Sequence, residues 1–181
     1  FTDARVPVSS RVGEAGAGAT YDAALLDISA TVQSAEIVGA MSRAFEMTLS
    51  WTRQRYSFGR PLASYQEIKH RMADMRTQLE AAAAITARAA RAVGRPALDG
   101  SALASAAKAY VGDHALECIQ DCIQMHGGIG VTSEHDLHYF CAAQSSTRNC
   151  WAPQSNSDSA SPISPRLRKA RTDEYGHRQC R

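Results

Sequence analysis

The sequence predicts an all-α fold, an up-and-down helical bundle whose fourth helix is degraded. Three segments, 20–53, 64–94 and 101–126, place apolar residues at steps of three and four, which puts them on one face of a helix. The connections between the segments are short, so consecutive helices should run antiparallel and pack side by side. No such periodicity follows residue 140, so the bundle lacks a regular fourth helix.

Each predicted helix has its own apolar stripe. The stripe of the first helix contains Leu25, Ile28, Val32, Ala35, Val38, Met41, Phe45 and Leu49. The stripe of the second helix contains Tyr65, Ile68, Met72, Met75, Leu79, Ala82 and Ile85. The stripe of the third helix contains Ala102, Ala106, Ala109, Gly112, Leu116, Ile119 and Ile123. Together these stripes are the predicted core.

End signals mark the limits of the second and third helices. Ser64-Tyr65-Gln66-Glu67 is a capping-box pattern, in which the hydroxyl and the carboxylate each satisfy a backbone N–H at a helix start. Gly94 and Pro96 end the second helix, and Gly127-Gly128 end the third.

The chain divides into three parts. Residues 1–19 are interpreted as an extended piece followed by a loop, and residues 20–140 as the bundle domain. The segment 141–165 has seven serines, three prolines and no periodicity, and 166–181 is basic and polar. Taken at face value, 141–181 is expected to be a disordered tail.

Composition and charge narrow the class of function. A net charge of +2 with 21% charged residues indicates neither a nucleic-acid partner nor an anionic membrane. No apolar run approaches the roughly 20 residues of a spanning helix, and no secretory signal opens the chain. Five cysteines, an odd number, do not form the layout of a disulfide-stapled module, so a reducing cytoplasm is expected.

Four potential metal ligands recur on the third helix. His114, Cys118, Cys122 and His126 are spaced every four residues. Each step is about 6 Å along the axis, so the four groups span about 18 Å. Such a row cannot surround one ion whose bonds are about 2.0–2.3 Å long, and we predict a buried face without a metal site.

Two further segments could bind a phosphate. Basic residues cluster near the turn Ser57-Phe58-Gly59, namely Arg53, Arg55, Arg60, Lys69, His70 and Arg71. They suit a phosphate, although a solvated charged turn has the same composition. The glycines of 127–130 would let backbone amides approach a ligand, although a glycine-rich helix end is common.

The two segments together resemble the carboxy-terminal domain of acyl-CoA dehydrogenases. The first resemblance is Arg55-Tyr56-Ser57-Phe58-Gly59-Arg60-Pro61-Leu62 followed by Tyr65-Gln66. The second is Gln124-Met125-His126-Gly127-Gly128-Ile129-Gly130-Val131-Thr132. Their order and spacing match over residues 1–140, and residues 1–14 resemble the end of that family's central β-domain.

The resemblance implies a four-helix bundle and an FAD-dependent reaction. In the family, FAD takes a hydride from the β-carbon of an acyl-CoA thioester while a glutamate removes the α-proton, leaving a trans-2-enoyl-CoA. The bundle contributes FAD contacts across a subunit interface, so a homo- or hetero-oligomer is expected. The implied FAD contacts are Arg55, Ser57, Phe58, Tyr65, Gln66, Gln124, Met125, His126, Gly127 and Gly128.

No residue of this chain is predicted to be the catalytic base. One position that the family uses for its glutamate falls at about Ser29, with Ala30 beside it where an arginine is common. The other position lies beyond Phe140. The resemblance therefore implies a subunit that is either the non-catalytic partner of a heteromeric enzyme or uses an unusual base. The alternative function is a helical interaction module without flavin.

We interpret the tail, residues 141–181, as a sequence translated in a reading frame shifted by one base. The codon junctions of Asn149-Cys150-Trp151-Ala152, read one base over, force Leu-Leu-Gly whatever synonymous codons were used. The surrounding junctions permit a family-like ending with apolar helical spacing and no stop codon. One missing base just after the codon of Phe140 explains the change in character. The frame-corrected sequence has leucine, not glutamate, at the second position that the family uses for its catalytic base.

Overall fold

The structure is a computed structural model, and it describes residues 2–95 and 99–141. Three long helices dominate it: α1 at Gly18–Gln54, α2 at Gln66–Ala92 and α3 at Gly100–His126. Their limits lie within about two residues of the predicted ones, so the all-α bundle is confirmed. No helix among the described residues is long and apolar enough to cross a membrane.

Two side-chain hydrogen bonds between α1 and α3 show that these helices run in the same direction. Ser101 Oγ donates a hydrogen bond to Asp27 Oδ1 at 3.1 Å. Further along both helices, Lys108 Nζ donates to Gln33 Oε1 at 2.8 Å. Both pairs join residues about 75 positions apart, so the carboxyl ends of α1 and α3 lie side by side.

The helix α2 runs in the opposite direction. Arg71, near its start, forms an ion pair of 3.2 Å with Asp121, near the end of α3. Burial raises the pKa of the Asp121 carboxyl, and the Arg71 charge opposes that shift. The order is up, down, up, as the short connections predicted.

A small hairpin joins α1 to α2. Strand β1 is Tyr56–Ser57 and strand β2 is Arg60–Pro61, paired antiparallel with Ser57 opposite Arg60. The chain then makes a 3-10 turn at Leu62–Ser64 before α2 begins. The predicted capping box is wrong, because Ser64 Oγ donates to Pro61 O at 2.7 Å and no side chain caps α2.

The apolar stripe predicted for α1 is only half right. Met41 and Phe45 are buried, whereas Leu25 and Val32 are both 61% exposed. The face that reaches the core contains Thr31, Ser34, Ile37, Met41, Ala44, Phe45, Thr48 and Thr52. The threonine and serine hydroxyls on it bond to carbonyls three or four residues earlier, so they are buried without losing their hydrogen bonds.

The stripe predicted for α2 is confirmed, and the one predicted for α3 is mostly wrong. Met72, Met75 and Leu79 of α2 are buried. The predicted face of α3 lies largely at the surface, with Ala102, Ala106 and Ala109 exposed. The buried residues of α3 are Ala104, Ala107, Val111, Ala115, Cys118, Ile119, Cys122, Met125 and His126. Alanine is frequent on both faces, so the sequence pattern could not distinguish them.

After α3 the chain folds back onto the bundle. A 3-10 segment, Gly127–Val131, leads to helical residues at 137–141, the last that the structure describes. Leu137 is fully buried in the core, and Phe140 and Cys141 pack against it. The predicted tail lies outside the described residues from 142 onward, and the division of the chain into domains stays a prediction.

Candidate functional site

A cavity of about 420 Å³ opens where the carboxyl ends of α1 and α3 meet the hairpin. Its lining residues are Trp51, Arg55, Ser57, Leu62, Gln124, Met125, His126, Gly127, Gly128 and Ile129. Because α1 and α3 run parallel, their carboxyl ends lie side by side at the same end of the bundle, next to the hairpin.

Two stacked rings form one wall of the cavity. The rings of Trp51 and His126 lie 5.3 Å apart, with 17° between their planes. The guanidinium carbon of Arg55 lies 5.9 Å from the centre of the Trp51 ring, within range of a cation–π contact. The wall therefore contains two stacked aromatic rings with one positive charge beside them.

His126 is a neutral, buried part of this wall. Only 5% of the residue is exposed, and its Nδ1 lies 2.8 Å from the carbonyl oxygen of Cys122. A carbonyl only accepts, so Nδ1 carries the proton. Burial lowers the pKa of His126, and the nearby His135 lowers it further, although the bond to Cys122 acts in the opposite direction.

Gly127 and Gly128 leave open space in the lining next to His126. Gly127 has a φ of +67°, which ends α3, and a side chain there would be strained. A Cβ atom added at either position would meet no atom within 4 Å, so open space lies in front of both. At Gly130, by contrast, a Cβ would lie 2.7 Å from the carbonyl oxygen of Ile123. Gly130 is thus a packing residue, whereas Gly127 and Gly128 leave room for a ligand.

The hairpin and the turn after it contribute Ser57 and Leu62 to the cavity lining. The N–H of Leu62 donates to the carbonyl oxygen of Arg55 at 2.8 Å, which ties the exit of the hairpin to the end of α1. Phe58 and Gly59 form its two-residue turn with φ values of +50° and +81°. Positive φ at both positions is typical of the tight turns that suit a twisted hairpin.

Comparison with known families identifies the chain. Residues 16–148 match the family model described as acyl-CoA dehydrogenase, C-terminal domain. The chain belongs to the acyl-CoA dehydrogenase family.

Three known proteins illustrate the similarity. The chain is 35% identical over 135 residues to acyl-CoA dehydrogenase IpdE2 of Mycolicibacterium smegmatis, covering 74% of this chain and 41% of the relative. It matches the structure of butyryl-CoA dehydrogenase from Megasphaera elsdenii with a TM-score of 0.76 and 28% identity, covering 82% of this chain and 38% of that one. A structure described as PigA with FAD and proline gives a TM-score of 0.76 at 27% identity, with the same coverage of 82% and 38%. The chain spans less than half the length of these relatives.

The structure brings together most of the site residues that the acyl-CoA dehydrogenase resemblance implied. The predicted residues that line the cavity are Arg55, Ser57, Gln124, Met125, His126, Gly127 and Gly128. Phe58, Tyr65 and Gln66 do not line it. Phe58 is 97% exposed at the hairpin tip, and Gln66 is an exposed residue whose Nε2 lies 3.4 Å from Nε2 of His70.

Sequence reasoning missed three residues of the wall. Trp51, Leu62 and Ile129 line the cavity but were not predicted to belong to the site. Trp51 could have been found, because it lies in the last turn of α1, four residues before Arg55. Leu62 and Ile129 carry no signal beyond their places in the two motifs.

The groups that catalysis or a metal would need lie elsewhere or are absent from the described part of the chain. No carboxylate lines the cavity. Residues 2–95 and 99–141 hold no group of three or more His, Cys, Asp or Glu side chains that could bind a metal ion. A hydrogen bond with Cys122, together with burial, raises the pKa of Cys118, so that thiol stays neutral.

Proposed function

We propose that this chain forms part of the FAD site of a flavin-dependent acyl-CoA dehydrogenase. The whole enzyme would convert an acyl-CoA thioester to the trans-2-enoyl-CoA, with FAD accepting the hydride from the β-carbon. The observation that carries the proposal is the single cavity that contains Arg55, Ser57 and the segment 124–128. The two motifs are far apart in sequence, and their meeting in one wall supports a shared ligand.

The wall suits the diphosphate end of a dinucleotide. The Arg55 guanidinium can donate charge-assisted hydrogen bonds to phosphate oxygens. The open space before Gly127 and Gly128 lets a ligand approach the backbone there. The Trp51 and His126 rings add apolar surface to the same wall. Residues 124–128 would orient the cofactor, and Arg55 would neutralise its charge.

The catalytic base would come from outside this chain or be an unusual group. Ser29 and Ala30 stand at the early position implied by the family and carry no carboxylate. The nearby Asp27 accepts a hydrogen bond from Ser101 and is only half-buried. A heteromeric enzyme in which this chain is the partner without the base accounts for both facts.

An oligomer is part of the proposal. The turn of the hairpin presents Phe58 with 97% of its surface exposed, which is unusual for an aromatic residue in a folded chain. A second subunit that covers Phe58 would bury it beside the cavity.

Cys118, Cys122 and Cys141 are free thiols, which supports a cytoplasmic location.

The test is the affinity for FAD of an Arg55→Ala variant. The variant is made in the longest protein that the reading frame through Phe1 encodes, and flavin is titrated into the apoprotein. Loss of a charge-assisted bond should weaken binding by about 1.5–3 kcal/mol. Arg53→Ala is the matched control, because Arg53 is also exposed at the end of α1 but does not line this cavity. Equal affinity of wild type and Arg55→Ala would reject the site.

The second candidate is a helical interaction module without flavin. It is favoured by the exposed apolar face of α1 formed by Leu25, Ile28 and Val32. The DNA upstream of the Phe1 codon distinguishes the two functions. A β-domain encoded there, and flavin absorbance in the purified protein, support the dehydrogenase, whereas their absence supports the module.

A further inference from the structure

The hairpin that carries part of the cavity wall is too small to be stable by itself. Each strand contains two residues, and isolated two-stranded hairpins are marginal in water even when longer. Its turn also places Phe58 at a φ of +50°, a conformation that bulky residues rarely adopt. Something outside the strands must therefore hold Ser57 in place.

Tyr65 makes that connection. Its hydroxyl donates a hydrogen bond of 2.8 Å to the carbonyl oxygen of Ser57, eight residues earlier. Its ring lies under the guanidinium of Arg60, whose central carbon is 3.8 Å from the ring centre. One side chain thus contacts both strands, since Ser57 belongs to β1 and Arg60 to β2.

The backbone of Tyr65 is itself held by its neighbours. Its N–H donates to the carbonyl oxygen of Leu62 at 3.1 Å, and its carbonyl accepts from the N–H of Lys69 at 3.1 Å. Tyr65 directly precedes α2, which begins at Gln66. The hairpin is therefore fastened to a long helix rather than to another loop.

We propose that Tyr65 is a positioning residue that holds Ser57, and through it the Arg55 end of the hairpin, in the wall of the FAD cavity. The inference rests on the proposed function and changes the role of Tyr65 from a ligand contact to a support. Tyr65 does not line the cavity, whereas Ser57 and Arg55 do. Its hydroxyl acts on the ligand only through the backbone of Ser57.

The experiment compares Tyr65→Phe with Tyr56→Phe in the flavin-binding protein. Tyr65→Phe removes the hydroxyl and keeps the ring under Arg60. Tyr56→Phe removes the same atom from the same hairpin, at a side chain that is largely exposed and does not line the cavity. Two quantities are measured: hydrogen exchange of the Leu62 amide, which is bonded to Arg55, and the dissociation constant of FAD.

Tyr65→Phe should speed exchange at Leu62 and raise the dissociation constant of FAD, each by about fivefold, the effect of one neutral hydrogen bond. Tyr56→Phe should change both by less than about twofold. In an Arg55→Ala background, Tyr65→Phe should weaken FAD binding less than it does in wild type. A residue that only stabilised the fold would give the same loss in both backgrounds.

Each other outcome overturns the inference in a distinct way. Unchanged exchange at Leu62 in Tyr65→Phe shows that Tyr65 does not hold the hairpin. Faster exchange with unchanged FAD affinity, when Arg55→Ala still weakens FAD, shows that the hairpin position does not matter for binding. If exchange at Leu62 is faster in Tyr65→Phe but neither Tyr65→Phe nor Arg55→Ala changes the affinity for FAD, the FAD site itself is wrong. Tyr65 would then still hold the hairpin, but not for FAD binding.

Discussion

At the scale of single residues, the protonation of His126 should make the stability of the cavity wall depend on pH. It is buried between Trp51 on one side and His135 on the other, with ring centres 5.3 Å and 4.6 Å away. The guanidinium carbon of Arg55 lies 5.9 Å from the centre of the Trp51 ring, so Arg55 adds a positive charge to the same wall. The neutral form of His126 therefore fits this wall, because burial disfavours the protonated form and lowers the pKa of His126.

We predict that the contribution of His126 to the free energy of unfolding decreases as the pH is lowered from 7 to 5. The pKa of His126 is lowered in the folded chain from its ordinary value of 6.5. The unfolded chain therefore takes up a proton first, so the stability that neutral His126 contributes is present above pH 6.5 and lost as the pH falls through the lowered pKa. Urea unfolding at a series of pH values measures the slope.

His126→Phe is the variant for this prediction. A phenyl ring can still stack on Trp51 but cannot titrate, so the pH dependence should become shallower. His70→Gln is the control, because it removes an imidazole that is exposed on α2 and does not line the cavity. A slope that is the same in His126→Phe and wild type would contradict the account.

At the scale of elements, two glycines test the packing around α1 and α3. Gly39 is exposed inside α1, and a Cβ there would meet no atom within 4 Å. Gly130 is buried, and a Cβ there would lie 2.7 Å from the carbonyl oxygen of Ile123 and 2.9 Å from Cβ of His126. The same substitution should therefore have opposite effects at the two positions.

We predict that Gly39→Ala stabilises the chain by about 0.5–1 kcal/mol, because alanine loses less conformational freedom in a helix. Gly130→Ala should destabilise it, since the 3-10 segment must move away from the end of α3. Thermal unfolding of both variants measures the effects. A gain in stability for Gly130→Ala would show that the turn after α3 packs differently.

The element scale also shows where sequence patterns succeed. In α2 the large apolar residues are few and regularly spaced, so Met72, Met75 and Leu79 could be assigned to the core correctly. In α1 the core face includes Thr48 and Thr52, which a search for apolar residues passes over. Their hydroxyls are satisfied within the helix, so burial of these residues is less costly than their polarity suggests.

At the scale of the whole molecule, the question is how the bundle is completed. Leu137 is fully buried and begins the helical residues 137–141, which pack against the core formed by the three long helices. A fourth helix could continue from there. The printed sequence loses its apolar spacing after this point, whereas the reading frame shifted by one base restores it.

We predict that a chain with one base restored after the codon of Phe140 is more stable than the printed one. The restored text supplies an apolar stripe, and it removes Pro153, Pro162 and Pro165, each of which would cost about 3 kcal/mol inside a helix. Thermal unfolding and light scattering of the two proteins measure stability and self-association. Equal stability and solubility would mean that the printed tail is native. Resequencing across codon 140 provides an independent check.

The helical class, the limits of the three helices and the family could all be predicted from the amino-acid sequence. Periodicity and glycine stops are local signals, so they survive without knowledge of the partners of a helix. The residues Arg55 and Gly128 could be named in advance because their motifs are specific when taken together. Their common ligand was an inference from resemblance, and their contact with FAD stays a prediction.

The buried faces and the set of site residues that line one cavity depend on how the helices pack, and local sequence does not specify that packing. The exposed Leu25 and the buried Thr48 lie on one helix, and nothing local tells them apart, because burial depends on where α2 and α3 pack. The parallel alignment of α1 and α3 brings Trp51 to His126, which lie 75 positions apart in the chain. The same geometry puts Tyr65 behind the hairpin rather than in the cavity, because its hydroxyl reaches the Ser57 carbonyl from the start of α2.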